Sequence, residues 1–152
     1  MNNFYRTDQK YLLLDIDGCL INSAHRDGAF LSGNMDVYHD LHVNDTYIPQ
    51  GVEVYNALMS IPFLKTYFVT ARGEEARDYT EKQLEKVITK PYKLLMRPVL
   101  DRRKTIELKP EMVIKARIPF SDIFMVIEDQ NSMVKKWREL GVVCYQPADG
   151  DF

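Results

Sequence analysis

Five short apolar runs with no polar face set the strongest limit on what this chain can fold into. They are YLLLDI (11–16), KTYFVT (65–70), YKLLM (92–96), IFMVI (123–127) and VVCY (142–145). A strand with one wet face alternates apolar and polar residues, whereas these runs read as central parallel strands covered by helices on both sides. Helical patterns lie between them. GVEVYNALMS (51–60) begins after Pro49 and stops before Pro62. GEEARDYTEKQLEKVI (73–88) places Ala76, Tyr79, Leu84, Val87 and Ile88 on roughly one face, with acids leading as the helix dipole favours. PEMVIKAR (110–117) starts with a proline suited to a first turn. NSMVKKWREL (131–140) offers Asn131 as cap, a stripe of Met133, Val134, Trp137 and Leu140, and Gly141 as terminator. This alternation predicts an α/β fold with a central, mainly parallel five-stranded sheet between helical layers. Ligands of such sheets bind beyond the carboxyl ends of the strands.

The length of 152 residues suits a single domain over 1–152 with a real core. A net charge of −2 excludes a polycationic footprint for long duplex DNA. Cys19 and Cys144 make neither a disulfide framework nor a paired metal spacing, and buried free thiols in a reducing compartment are expected. The opening MNNFYRTDQK has no apolar signal core, and no run approaches the roughly 18 residues of a membrane span, so a cytoplasmic protein is expected. The segment 23–48 is read as a long structureless connection, hence a substrate-facing loop or minimal cap. It holds all three histidines, His25, His39 and His42, which are expected to be solvated.

The strand ends carry the chemistry. Asp15-Ile16-Asp17-Gly18 closes the first run, Thr70-Ala71-Arg72 the second and Glu128-Asp129 the fourth. Each alone has a plain reading. The first could be a strand-end turn or the acid pair of a nucleotide-sugar transferase, the second a strand entering a turn, the third a solvated turn before a helix. Together, at one sheet edge, these carboxylates would repel one another, and a hard divalent cation such as Mg²⁺ resolves the conflict.

In this order the motifs resemble those of the haloacid dehalogenase (HAD) superfamily of phosphatases: Asp15-Ile16-Asp17-Gly18, Thr70 in YFVTAR, Lys109 in KPEMVIKAR and Glu128-Asp129. The resemblance spans nearly the whole chain and is more specific to the 3′-phosphatase domain of phage polynucleotide kinase. VIEDQNSMVKKWRELGVVCYQPADGDF is similar to that domain's closing segment, and Arg26 and Arg72 fall where it carries arginines. There are departures: Glu128 stands for a usual aspartate, Gln130 for an arginine, Thr105 for an aspartate and Cys19 for threonine or valine. No G-x-x-x-x-G-K-[ST] loop of a kinase half occurs in the sequence.

The resemblance implies a three-layer Rossmann-like fold with a small loop cap and a Mg²⁺-dependent phosphomonoesterase. Asp15 would be the nucleophile, forming an aspartyl-phosphate, and Asp17 the acid and base, holding the proton. Lys109 would counter charge, while Thr70, Arg72 and Arg26 bind phosphate. Asp15, Asp17 (through its main-chain carbonyl), Asp129 and Glu128, the last acting through water or by orienting a ligand, would form the metal site. The expected substrates are 3′-phosphates of nucleotides or nucleic-acid ends. A 5′-nucleotidase or small-metabolite phosphatase is the alternative, and a non-catalytic phosphate- or partner-binding domain the rival from another class. Arg97, Arg102, Arg103 and Lys104 form the local basic cluster, either a solvated face or a contact for further phosphates.

Overall fold

The first strand, β1 (Lys10–Leu14), is buried on both faces and organises the rest of the chain. The computed structural model describes residues 8–151, apart from the side chains at positions 27, 30, 35, 38 and 39. The elements that follow are β2 (Ile21–Asn22), α1 (Asp27–Leu31), α2 (Met35–Asp40), β3 (Thr46–Tyr47), α3 (Pro49–Met59), β4 (Leu64–Gly73) and α4 (Arg77–Glu85). After them come β5 (Lys93–Arg97), α5 (Thr105–Lys115), β6 (Ile123–Ile127), α6 (Asn131–Glu139) and β7 (Cys144–Tyr145). Five strands form one sheet in the order β5-β4-β1-β6-β7, and every pairing in it is parallel.

Alternate residues of a strand face opposite layers. Leu12 and Leu14 therefore join one apolar cluster with Tyr55 and Met59 of α3 and Leu84 of α4. Leu13 joins the other, with Leu108, Met112 and Val113 of α5 and Met133, Val134 and Trp137 of α6. Helices thus cover both faces, which is why none of the strands could show a polar side. No helix of the described residues is long and apolar enough to cross a membrane.

Five local expectations differ from the structure. Helix α5 starts at Thr105, five residues before the proline expected to open it, and Pro110 lies inside the helix. Proline there forfeits one intrahelical hydrogen bond, but Leu108, Met112 and Val113 pack into the core around it and outweigh the loss. Asn131 does not cap α6; Gln130 occupies that position, and the Asn131 side chain instead accepts a hydrogen bond from Gln146 at 2.6 Å. Strand β4 runs on to Gly73, past Thr70, with its register against β5 shifting after Val69. Finally, 23–48 is not structureless. It holds α1, α2 and β3, the last paired antiparallel with β2. His42 within it is buried and stacks on Tyr79 at 5.3 Å between ring centroids, contrary to the expected solvation. His25 does lie at the surface, the side chain of His39 lies outside the described residues, and so does Phe152.

Candidate active site

Chain direction in a parallel sheet brings the carboxyl ends of β1, β4 and β6 to one edge, and the motifs follow those strands there. The Asp15 N–H donates to the carbonyl of Ile127 at the end of β6, at 3.0 Å, locking the two acid-bearing segments together. The chain then turns tightly, with the amides of Leu20 and Ile21 both donating to the Ile16 carbonyl. Gly18 makes this turn at φ +75°, where a side chain is strained. A Cβ there would also lie 1.8 Å from Oδ2 of Asp129, so the missing side chain is what admits Asp129 to the site.

Lys109 ties the acids into a unit. It projects from the middle of α5 rather than from its start, and it is only 2% exposed. Its Nζ lies 2.9 Å from Asp15 Oδ1 and 2.6 Å from Glu128 Oε2. Burial alone would drive the ammonium toward neutrality, but the charges of Asp15 and Glu128 outweigh it and hold the proton more firmly than usual. Burial, then the charge of Glu128, lifts the Asp15 carboxyl well above the usual range, with Lys109 opposing. Glu128 is tied to Lys109 and to the Gln130 N–H, at 3.3 Å, so its carboxylate serves the lysine.

Asp129 has little company. It is 4% exposed, and its carboxylate receives one hydrogen bond from another residue among those described, the weak one from the Cys19 thiol at 4.0 Å. Burial, then the charge of Asp15, pushes its pKa up to about 7. Donor atoms of Asp15, Cys19 and Asp129 all lie within 4.8 Å of one another. Burial and the neighbouring carboxylates push the Cys19 thiol well up, so it sits among the acids as a neutral group. Asp15, Glu128 and Asp129 against one ammonium leave two negative charges when all are ionised. The donors in reach are mostly hard oxygens, so the residues fit a divalent cation such as Mg²⁺.

Asp17 belongs to a second, separate network. Its Oδ1 accepts from Arg26 Nη2 at 2.9 Å and Arg72 Nη2 at 2.7 Å, and its Oδ2 accepts from Arg72 Nε at 2.9 Å. Burial would raise its carboxyl, yet the Arg72 charge and hydrogen bonds, with Arg26 behind them, hold it well below the usual range. The two arginines thus favour the ionised form of Asp17 in this arrangement. Arg26 is fully buried and divides its guanidinium between Asp17 and Asp45, which it meets at 2.8 Å. Among the described residues Arg26 is not one of those lining the cleft. Arg72 borders the cleft but also binds Gln83 Oε1 at 2.5 Å and Thr80 Oγ1 at 3.2 Å. Sequence reasoning missed Asp45, Thr80 and Gln83. The latter two stand beside the apolar stripe of α4, and polar residues next to a buried stripe are the signal that could have found them. Asp45 carries no such local mark.

The cleft over this edge has a volume of about 670 Å³ and is bordered by Asp15, Asp17, Thr70, Arg72 and Lys109. The Thr70 hydroxyl oxygen accepts from the Arg72 N–H at 3.1 Å, which leaves its O–H free to donate. The basic cluster also lines the cleft. Arg97 is engaged by the carbonyls of Ala71, Asp101 and Arg103, and Arg103 by Asp101 and Glu111. Arg102 and Lys104 are exposed there.

A family model described as "Polynucleotide kinase PNKP phosphatase domain" matches residues 9–152. Among solved structures, one titled "Structure of Pnkp1/Rnl/Hen1 complex" superposes with a TM-score of 0.77 at 25% identity, covering 97% of this chain and 49% of that one. A second, titled "Structure of the Pnkp1/Rnl/Hen1 RNA repair complex", gives 0.76 at 25% identity, covering 100% and 48%. The chain thus spans about half the length of these two. A haloacid dehalogenase-like hydrolase from Streptococcus pneumoniae shares the fold, with a TM-score of 0.65 at 13% identity over 93% of this chain and 85% of that one.

Proposed function

This chain belongs to the family of polynucleotide kinase phosphatase domains, and from that membership we propose a Mg²⁺-dependent phosphomonoesterase that removes 3′-phosphates from nucleotides or nucleic-acid ends through an aspartyl-phosphate on Asp15. That it is a HAD-type phosphatase domain follows from the family match and the neighbours. The observation supporting the finer reading is the buried Lys109 bridge between Asp15 and Glu128, all three lining the cleft, with Asp129 close beside Asp15. A carboxylate nucleophile gains from a fixed cation that orients it and meets the charge of the incoming phosphoryl group. The likeness to chains titled as an RNA repair complex favours a nucleic-acid end over a free metabolite.

The steps follow from the residues. An Asp15 carboxylate oxygen attacks phosphorus while the bond to the substrate's 3′-oxygen breaks, and that oxygen takes a proton from Asp17. Asp17 next takes a proton from water, whose oxygen attacks phosphorus, breaks the bond to Asp15 and releases inorganic phosphate. Asp17 as it stands is in the base form, so the first step needs proton uptake once substrate disturbs the arginines. Lys109 and the Thr70 hydroxyl donate to the phosphoryl oxygens. Arg26 and Arg72 act as positioning residues, aiming Asp17 from the buried Asp45. Asp15, Asp129 and the main-chain carbonyl of Asp17 would hold Mg²⁺, which when bound supplies charge neutralisation at the phosphoryl oxygens. Segment 23–48 would be the small cap of a single domain spanning the chain, and it delivers Arg26 and Asp45.

A substrate panel tests this. The chain is assayed on 3′- and 5′-nucleoside monophosphates and 3′-phosphorylated oligonucleotides, with Mg²⁺ and with a chelator, beside Asp15→Asn. Activity on 3′-phosphates that needs Mg²⁺ and vanishes in Asp15→Asn is expected. Preference for 5′-monophosphates overturns the substrate, and a wild type as inert as the mutant overturns the enzyme.

A further inference from the structure

The acid cluster contains one soft donor that a Mg²⁺ site does not need. Cys19 follows directly on the Gly18 turn, is 2% exposed, and is held in place by the amide of its own residue donating to the Ile16 carbonyl at 3.3 Å. Behind it the chain cannot yield. A Cβ on Gly51, at the start of α3, would stand 2.1 Å from the Cys19 carbonyl oxygen, so helix and turn are in close backbone contact. The Cys19 sulfur faces Asp129 Oδ1 at 4.0 Å, and the third donor, from Asp15, completes a group within 4.8 Å. Asp129, nine-tenths buried and with Cys19 as the one other residue among those described that donates a hydrogen bond to its carboxylate, borders the same space.

We propose that Cys19, Asp15 and Asp129 together form a site for a thiophilic divalent cation of the Zn²⁺ and Cd²⁺ class, which competes there with Mg²⁺. The inference rests on the reading of Asp15 and Asp129 as metal ligands. A cation with bonds of about 2.3 Å to sulfur and about 2.1 Å to oxygen spans the 4.0 Å separation at an angle of about 130°. Zn²⁺ accepts three protein ligands with an open fourth position, and a thiolate raises its preference over Mg²⁺, which favours oxygen and water. On binding, the sulfur–metal bond replaces the S–H bond and the proton leaves to solvent. The second thiol, Cys144, lies on β7 and is absent from this group of donors, so it serves as the internal control.

The test is a titration of the metal-free chain with Cd²⁺, read by the ultraviolet thiolate-to-metal charge-transfer band. One equivalent should raise the band in the wild type and in Cys144→Ser but not in Cys19→Ser. The Mg²⁺ needed to displace Cd²⁺ should fall on the order of tenfold or more in Cys19→Ser. Circular dichroism establishes that each variant is folded, and the ¹¹³Cd chemical shift of the unaltered protein reads sulfur ligation without any substitution. A shift typical of an all-oxygen site, or a band kept by Cys19→Ser and lost by Cys144→Ser, overturns the proposal. Mg²⁺-dependent hydrolysis by a chain that shows no thiolate band leaves the phosphatase reading standing alone. A thiolate band on a chain that hydrolyses nothing does the reverse.

Discussion

Stripped of metal by a chelator, the protein should lose stability as pH rises from about 4 to about 7, and Mg²⁺ should remove that loss. The Asp129 carboxyl goes from 3.8 to about 7 on folding, first through burial and then through the charge of Asp15. Between those values the folded chain keeps a proton that the unfolded chain has released. Stability therefore falls with pH, by about 1.4 kcal/mol per unit. Across about three units the upper bound is about 4 kcal/mol, reduced toward about 2 by residual solvent screening. Between pH 5 and pH 8 about two of those three units are crossed, which for a chain of this length corresponds to a melting temperature lower by about 3 to 5 °C. Asp15 shifts in the same direction and adds to the effect. Asp17 is held low, so its contribution disappears only as pH falls below the usual carboxylate range, outside this window. Thermal melts in EDTA at pH 5 and pH 8, for the wild type and Asp129→Asn, provide the assay. The mutant should be flatter and more stable than the wild type at pH 8, while Mg²⁺ should stabilise the wild type most at that pH. A wild type equally stable at both pH values in EDTA, or an Asp129→Asn slope equal to the wild type's, refutes the reasoning.

Lys109→Met should abolish hydrolysis and lower stability by about 3 to 5 kcal/mol in urea melts, because it strands Asp15 and Glu128 without their buried cation. Gly18→Ala should lose metal affinity in calorimetric titration, since the new methyl displaces Asp129 in a turn already at positive φ. Asp45→Asn should cost about 3 kcal/mol or more in the same melts by removing a buried carboxylate charge that both Arg26 and Arg72 meet. Arg102→Ala with Lys104→Ala should raise KM for a 3′-phosphorylated oligonucleotide and leave the melting temperature unchanged, both side chains being exposed on the cleft wall.

The five strands and the acids at their ends were legible because each signal is local: an apolar run without alternation, an Asp pair before glycine, a Glu-Asp after IFMVI. The start of α5 was not, because Pro110 is a strong local stop sign and only the burial of Leu108, Met112 and Val113 overrides it. With that start misplaced, Lys109 falls just ahead of the expected helix at 110–117, whereas it sits in the middle of α5. The structured segment 23–48 was likewise hidden, since short helices of five and six residues carry too few turns to show a period.

The sequence by itself determined the layered α/β architecture and which acids stand where the strands end, since hydrophobic periodicity and residue order act within a few positions of the chain. Only the tertiary structure decided how those charges are shared: Glu128 to Lys109, Asp17 together with Asp45 of segment 23–48 to two arginines, Cys19 to the neighbourhood of Asp15 and Asp129. Such pairings join residues as far as 110 positions apart. They are chosen by which side chains packing confines together away from water, where an unpaired charge is too costly to leave.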